Sequence, residues 1–141
     1  MNGGFFLLTG IWDRLHPLLV HLPIGILLLA AVIQARSSRK GYQLPLPALR
    51  LIWLSGLATA LLSLITGFLV FYNGTYQSPA ALLHLWLGIL LTLVTLFVTA
   101  RVLSGRKDTL LAAALAALVL LILLTGYFGG LTAHTGEGTG I

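Results

Sequence analysis

The sequence predicts an all-α fold, a four-helix transmembrane bundle, and three observations carry that expectation. Of 141 residues, 58% are hydrophobic and only 8% charged, too few polar side chains to cover a water-soluble globule of this size. The apolar residues gather into four runs, at 15–35, 49–72, 81–102 and 109–128, each close to the ~20 residues that cross a ~30 Å hydrocarbon layer as a helix. The cations, finally, are confined to two of the connections. Seven of the eight (Arg36, Arg39, Lys40, Arg50, Arg101, Arg106 and Lys107) flank the first and third.

The stretch before the first run, "MNGGFFLLTG", has neither the basic start nor the long apolar core of a signal peptide and is expected to stay on the mature protein. In the first run, "HPLL" offers Pro17 as the first helical residue, and Pro23 is expected to free the carbonyl of Leu19 and bend the helix. The second run ends in "LITGF". Before the third, "SPA" supplies Ser78 as a cap and Pro79 for the first turn. The fourth ends in "LLTGY" and passes into a glycine-rich tail, "GGLTAHTGEGTG", whose flexibility suits wrapping over a site or docking on a partner. All 141 residues then form a single membrane domain, with little chain left over for a soluble one.

By the positive-inside rule the two basic connections face the cytoplasm, and both termini face the periplasm. The net charge of +5 therefore reports topology and argues for no nucleic-acid partner. The absence of cysteine excludes disulfides, thiolate metal sites, iron–sulfur clusters and covalent c-type haem. No acidic residue falls within a span, which argues against a carboxylate-based proton-coupled transporter, and no nucleophile has a matched base.

Two stretches match in register, "HLPIGILLL" from His21 and "HLWLGILLT" from His84, and the Thr-Gly-aromatic endings around Thr66 and Thr125 extend the match. Each half reads as a hairpin entering from the same side, a parallel repeat. Convergence of leucine-rich helices on similar letters is the alternative.

An ionisable side chain within a span points to function, with a partner to be named. For His21 and His84 that partner is haem b, which needs two facing imidazoles and no cysteine; Gly25 and Gly88, one turn deeper on the same faces, would clear a porphyrin. Alternatively the glycines simply let helices approach closely. His16 and His134 form either a second haem ligand pair or an interfacial histidine and a tail residue. Arg14, beside Asp13, suits haem propionates, or else "WDR" is an interfacial anchor together with Tyr72, Tyr76 and Trp86.

"WDRLHPLLVHLPIGILLLA", "LLHLWLGI" and "LTGYFGGLTAHTGEG" resemble the motifs of a family of small bacterial membrane proteins of unknown function, sometimes fused to cytochrome c-like domains. The resemblance covers nearly the whole chain, and His16, His21, His84 and His134 match its histidine motifs. Where the family often reads Gly-His before the glycine pair, this chain has Gly126 and Tyr127. It implies a four-helix topology and a redox association.

The expectation is thus an electron-transfer protein of the bacterial inner membrane, more carrier than stand-alone enzyme, holding one or two haem b groups. It would pass electrons between a periplasmic carrier and a quinone or other subunits of a respiratory or photosynthetic complex. A haem-free structural subunit, and a copper or zinc site built from three of the histidines, are the alternatives.

Overall fold

The computed structural model describes residues 3–37, 44–72 and 78–136, with side-chain surroundings for Ile11, 14–37, 44–72 and 78–133. Four helices follow in order: α1 (Gly3–Ser37), α2 (Leu46–Tyr72), α3 (Pro79–Leu103) and α4 (Thr109–Gly136). All four are long and apolar enough to cross a bilayer, and the protein is a multi-pass membrane protein. Large side chains such as Leu18, Leu51 and Leu123 stand more than 60% exposed around the outside, where lipid replaces water as the solvent.

Two helices run further than the apolar runs. α1 begins at Gly3 and passes through Pro17 and Pro23, so Pro17 is an interior residue, not the helix start. A proline's fixed φ is itself helical, and its missing N–H costs one backbone bond, a loss that membrane helices tolerate. α4 continues through the glycine-rich stretch to Gly136. The start of α3 is as the sequence suggests: the Ser78 hydroxyl accepts the N–H of Ala81 at 3.1 Å, and Pro79 occupies the first turn.

Each helix buries a seam whose members alternate in steps of three and four. On α1 the seam is His16, Val20, Pro23, Leu27, Ala30 and Gln34; on α2 it is Trp53, Gly56, Ala60, Ser63, Gly67 and Val70. On α3 it is Ala81, His84, Gly88, Leu91, Thr95 and Val98, and on α4 Leu111, Leu115, Leu118, Ile122, Thr125 and Gly129. Every one is buried or half-buried. This is the seven-residue spacing by which helices keep one stripe against their neighbours along their whole length.

Because lipid tails are as apolar as leucine, such a bundle is held by close packing and by satisfied polar groups. Gly56 supplies closeness: a Cβ there would stand 2.6 Å from Cδ2 of the fully buried Leu27. Thr92, Thr95 and Thr99 on α3 are buried and return their hydroxyls to the carbonyls of Gly88, Leu91 and Thr95. α1 packs on α2, α3 on α4 and α2 on α3, while α1 barely meets α4. The ring of helices is therefore thinnest between α1 and α4.

Candidate functional site

Near the end of the bundle remote from the basic connections lies a cavity of about 390 Å³, walled by all four helices. Its polar groups are few: His16 and His21 from α1, Ser63 from α2, His84 and Thr92 from α3, Thr125 and Thr132 from α4. No carboxylate or cation lines it among the described residues.

His16 and His84 meet across this space, their ring centres 6.4 Å apart and their planes at 77°. Both occupy seam positions, which is why helices α1 and α3 turn them inward. Each ring rests on a glycine of the other helix of its own hairpin. A Cβ on Gly67 would come within 3.1 Å of Cε1 of His16, and one on Gly129 within 2.9 Å of Cε1 of His84. No side chain larger than hydrogen fits beneath either imidazole as it stands.

A carbonyl partner defines the tautomer of His84, and a hydroxyl partners His16. Nδ1 of His84 lies 2.9 Å from the carbonyl oxygen of Thr125; a carbonyl only accepts, so Nδ1 carries the proton. Nδ1 of His16 lies 2.9 Å from the hydroxyl of Thr66, whose own proton can go to the carbonyls of Leu62 and Ser63. With that proton on a carbonyl, the hydroxyl accepts and Nδ1 of His16 donates; in the other tautomer the hydroxyl donates to Nδ1. Neither Nε2 has a hydrogen-bond partner among the described residues, so His84, and His16 in its Nδ1–H tautomer, hold a lone pair ready for a Lewis acid.

The sequence-derived pair was His21 with His84, and the geometry brings together a different one. His21 follows His16 by five residues, about 140° around a helix, so only one of them can point into the bundle. His16 takes the seam. The exposed ring of His21 stands at the cavity wall and donates from Nδ1 to the carbonyl of Pro17 at 2.6 Å. Gly25 shares the outward face of His21 and is exposed; a Cβ there would meet nothing within 4 Å, and it lines no part of the cavity. Gly88 does line the cavity.

Arg14 is exposed and does not reach the cavity wall. His134 belongs to α4, but its side chain lies outside the described residues, as do those of Trp12 and Asp13. Tyr76 and Glu137 lie outside them altogether. Among the described residues, no three histidine or acidic side chains gather in a way that could hold a metal ion. Letter matching gave no role to Gly129 or to the partnership of Thr66 and Thr125 with the rings. The signal for them was the seven-residue register running through His16, Gly67, His84 and Gly129. No family model matches the chain, and neither the curated proteins nor the solved structures contain a match to it.

Proposed function

We propose that this cavity binds haem b through Nε2 of His16 and His84, and that the protein is an electron-transfer subunit of the bacterial inner membrane. The reading rests on one observation: two neighbouring imidazoles whose Nδ1 atoms are engaged by Thr66 and Thr125 and whose Nε2 atoms have no hydrogen-bond partner among the described residues. That is how histidine ligands are oriented by their outer partners, which fix tautomer and ring plane before the metal arrives. The spacing fits as well. With metal–imidazole bonds of about 2 Å, two imidazoles on opposite sides of one metal have centres roughly 6 Å apart, against 6.4 Å here.

Two histidines alone leave a metal ion under-coordinated, whereas a porphyrin brings four nitrogens of its own, which favours haem over a bare copper or zinc ion. When bound, haem supplies a one-electron couple. The chain's part is to hold and orient. Thr66 and Thr125 keep the rings from turning, Gly67 and Gly129 set how far they recede, and the apolar walls keep water and counter-charge away. With the basic connections in the cytoplasm, both termini and the cavity lie on the periplasmic side, within reach of a periplasmic carrier, a quinone or a neighbouring subunit.

The test is a visible spectrum of the purified protein, made with ample haem supply, in oxidised and reduced forms. A Soret band with sharp reduced α-bands is expected; their absence sinks the reading. Among single variants, His16→Ala and His84→Ala should abolish the spectrum while His21→Ala keeps it. Loss in His21→Ala with retention in His16→Ala would instead assign the ligands to His21 and His84.

A further inference from the structure

A second cavity, of about 460 Å³, lies at the opposite, basic end of the bundle, between the end of α1, the start of α2 and the turn joining α3 to α4. Ser37 closes α1, Leu46 opens α2 and Leu103 ends α3, so the cavity sits where the spans reach the membrane surface. Its walls carry Arg106 and Lys107 and no carboxylate among the described residues.

Three features of these walls favour an anion. Arg106 and Lys107 are exposed, and the one ion pair among the described residues, Arg101 with Asp108, includes neither. Ser37 is only 5% exposed, yet its hydroxyl has no hydrogen-bond partner among the described residues. Buried hydroxyls are normally satisfied, so an unpaired one on a cavity wall marks the place of a missing acceptor. The first turn of α2, with Leu46 and Leu49 on the wall, has no acidic residue to offset the positive end of a 27-residue helix.

We infer that this cavity binds a phosphate group at the membrane surface, with Arg106 and Lys107 as counter-charges and the Ser37 hydroxyl as a donor. Guanidinium, ammonium and hydroxyl all donate, and a tetrahedral phosphate accepts on several oxygens at once. The group can belong to an anionic phospholipid or be free inorganic phosphate. The leucine wall beside the donors favours the lipid, whose acyl chains would continue down the apolar face of the helices. This site shares no residue with the histidine cavity and does not depend on haem.

Native mass spectrometry of the full chain, released from detergent with phosphatidylglycerol or phosphatidylcholine added, provides the test; a parallel thermal melt with inorganic phosphate covers the free anion. Phosphatidylglycerol should stay bound at least tenfold more than phosphatidylcholine. Ser37→Ala, which removes no hydrogen bond among the described residues, and the pair Arg106→Gln with Lys107→Gln should each cancel that preference without lowering the melting temperature measured free of lipid and phosphate. Removing the same charge outside the cavity, with Arg36→Gln and Arg50→Gln, should leave it intact. Stabilisation by inorganic phosphate with the same dependence on Ser37, without lipid preference, supports the site and assigns it to the free anion. Binding of neither probe, equal losses in the two charge pairs, or undiminished binding in Ser37→Ala overturns the inference.

Discussion

His16 and His84 approach each other from α1 and α3 with ring centres 6.4 Å apart, although 68 residues of chain separate them. Neither is held by the other. His16 is fixed through Thr66 on α2 and His84 through Thr125 on α4, so each hairpin positions its own imidazole and the two hairpins bring the rings together with their planes at 77°. The halves reach this arrangement by different atoms, a side-chain hydroxyl in one and a backbone carbonyl in the other. That difference makes the His16 side accessible to mutation.

Thr66→Val keeps the shape of a fully buried side chain and deletes the acceptor for Nδ1 of His16. Leaving a buried donor unpaired costs about 1–3 kcal/mol, and loss of a ligand's outer partner lowers metal affinity ~10–100-fold. The expected result is a folded but less stable protein and, on the proposed haem reading, one that loses haem readily on dilution, with Thr66→Ser restoring both properties. Haem retention and stability in the valine variant equal to the parent's would show that the hydroxyl does not position the ring.

Gly129 and Gly130 are adjacent letters with opposite surroundings. A Cβ at Gly129 would press on Cε1 and Nδ1 of His84, at 2.9 and 3.2 Å, while one at Gly130 meets nothing within 4 Å. The ring cannot simply recede, because its Nδ1 is tied to Thr125. Gly129→Ala should therefore destabilise the bundle by about 1–3 kcal/mol through overpacking and, on the proposed haem reading, disturb the spectrum. Gly130→Ala should be neutral, or more stable by up to ~1 kcal/mol from helix propensity. Unfolding in a graded detergent series measures both, and equal behaviour of the two variants contradicts this packing.

Composition and run length sufficed for four helices in a membrane, because crossing a bilayer leaves a chain almost no alternative to long apolar helices. Ser78 and Pro79 were equally legible, since a cap acts through its immediate neighbours. The histidine pair was not. Matching His21 and Gly25 to His84 and Gly88 compares letters, whereas His21 and Gly25 are both exposed and only His21 reaches the cavity wall. Extending the seam back from Ala30 and Leu27 in steps of three and four reaches Pro23, Val20 and then His16, so the register held information that the repeat concealed. The extent of α1 was missed for another reason: Pro17 reads as a start signal, but its φ also suits a helix interior.

The turn between α3 and α4 depends on Gly105, the one described residue with positive φ, at 69°. Its N–H bonds the carbonyl of Val102 while that of Arg106 reaches Arg101, the paired closure that ends a helix through a left-handed residue. Gly105→Ala should lower stability by about 1–2 kcal/mol, since a Cβ crowds the following carbonyl in this conformation. Gly105→Asn should cost less, because asparagine visits the region more readily. Thermal melts of the three proteins decide it, and an alanine variant as stable as the parent would count against the turn.

Asp108 ties that same turn to α4. Its carboxylate pairs with Arg101 and accepts the N–H of Leu111 at 2.9 Å, capping the helix. The hydrogen bond from Arg101 first, and then that from Leu111, hold its carboxyl below the usual aspartate range. A group depressed in the folded state adds stability that is complete above its unfolded value, about 3.9, and fades as pH falls through the folded one. Asp108→Asn keeps a capping oxygen without the charge, so the parent should melt above the variant by a constant margin from pH 7 down to about 5. The margin should close below about pH 4. Because the carboxylate is open to solvent, added salt should narrow the gap at neutral pH as well. A difference in melting temperature that persists unchanged at pH 3 would assign the effect of the substitution to something other than the carboxylate's charge.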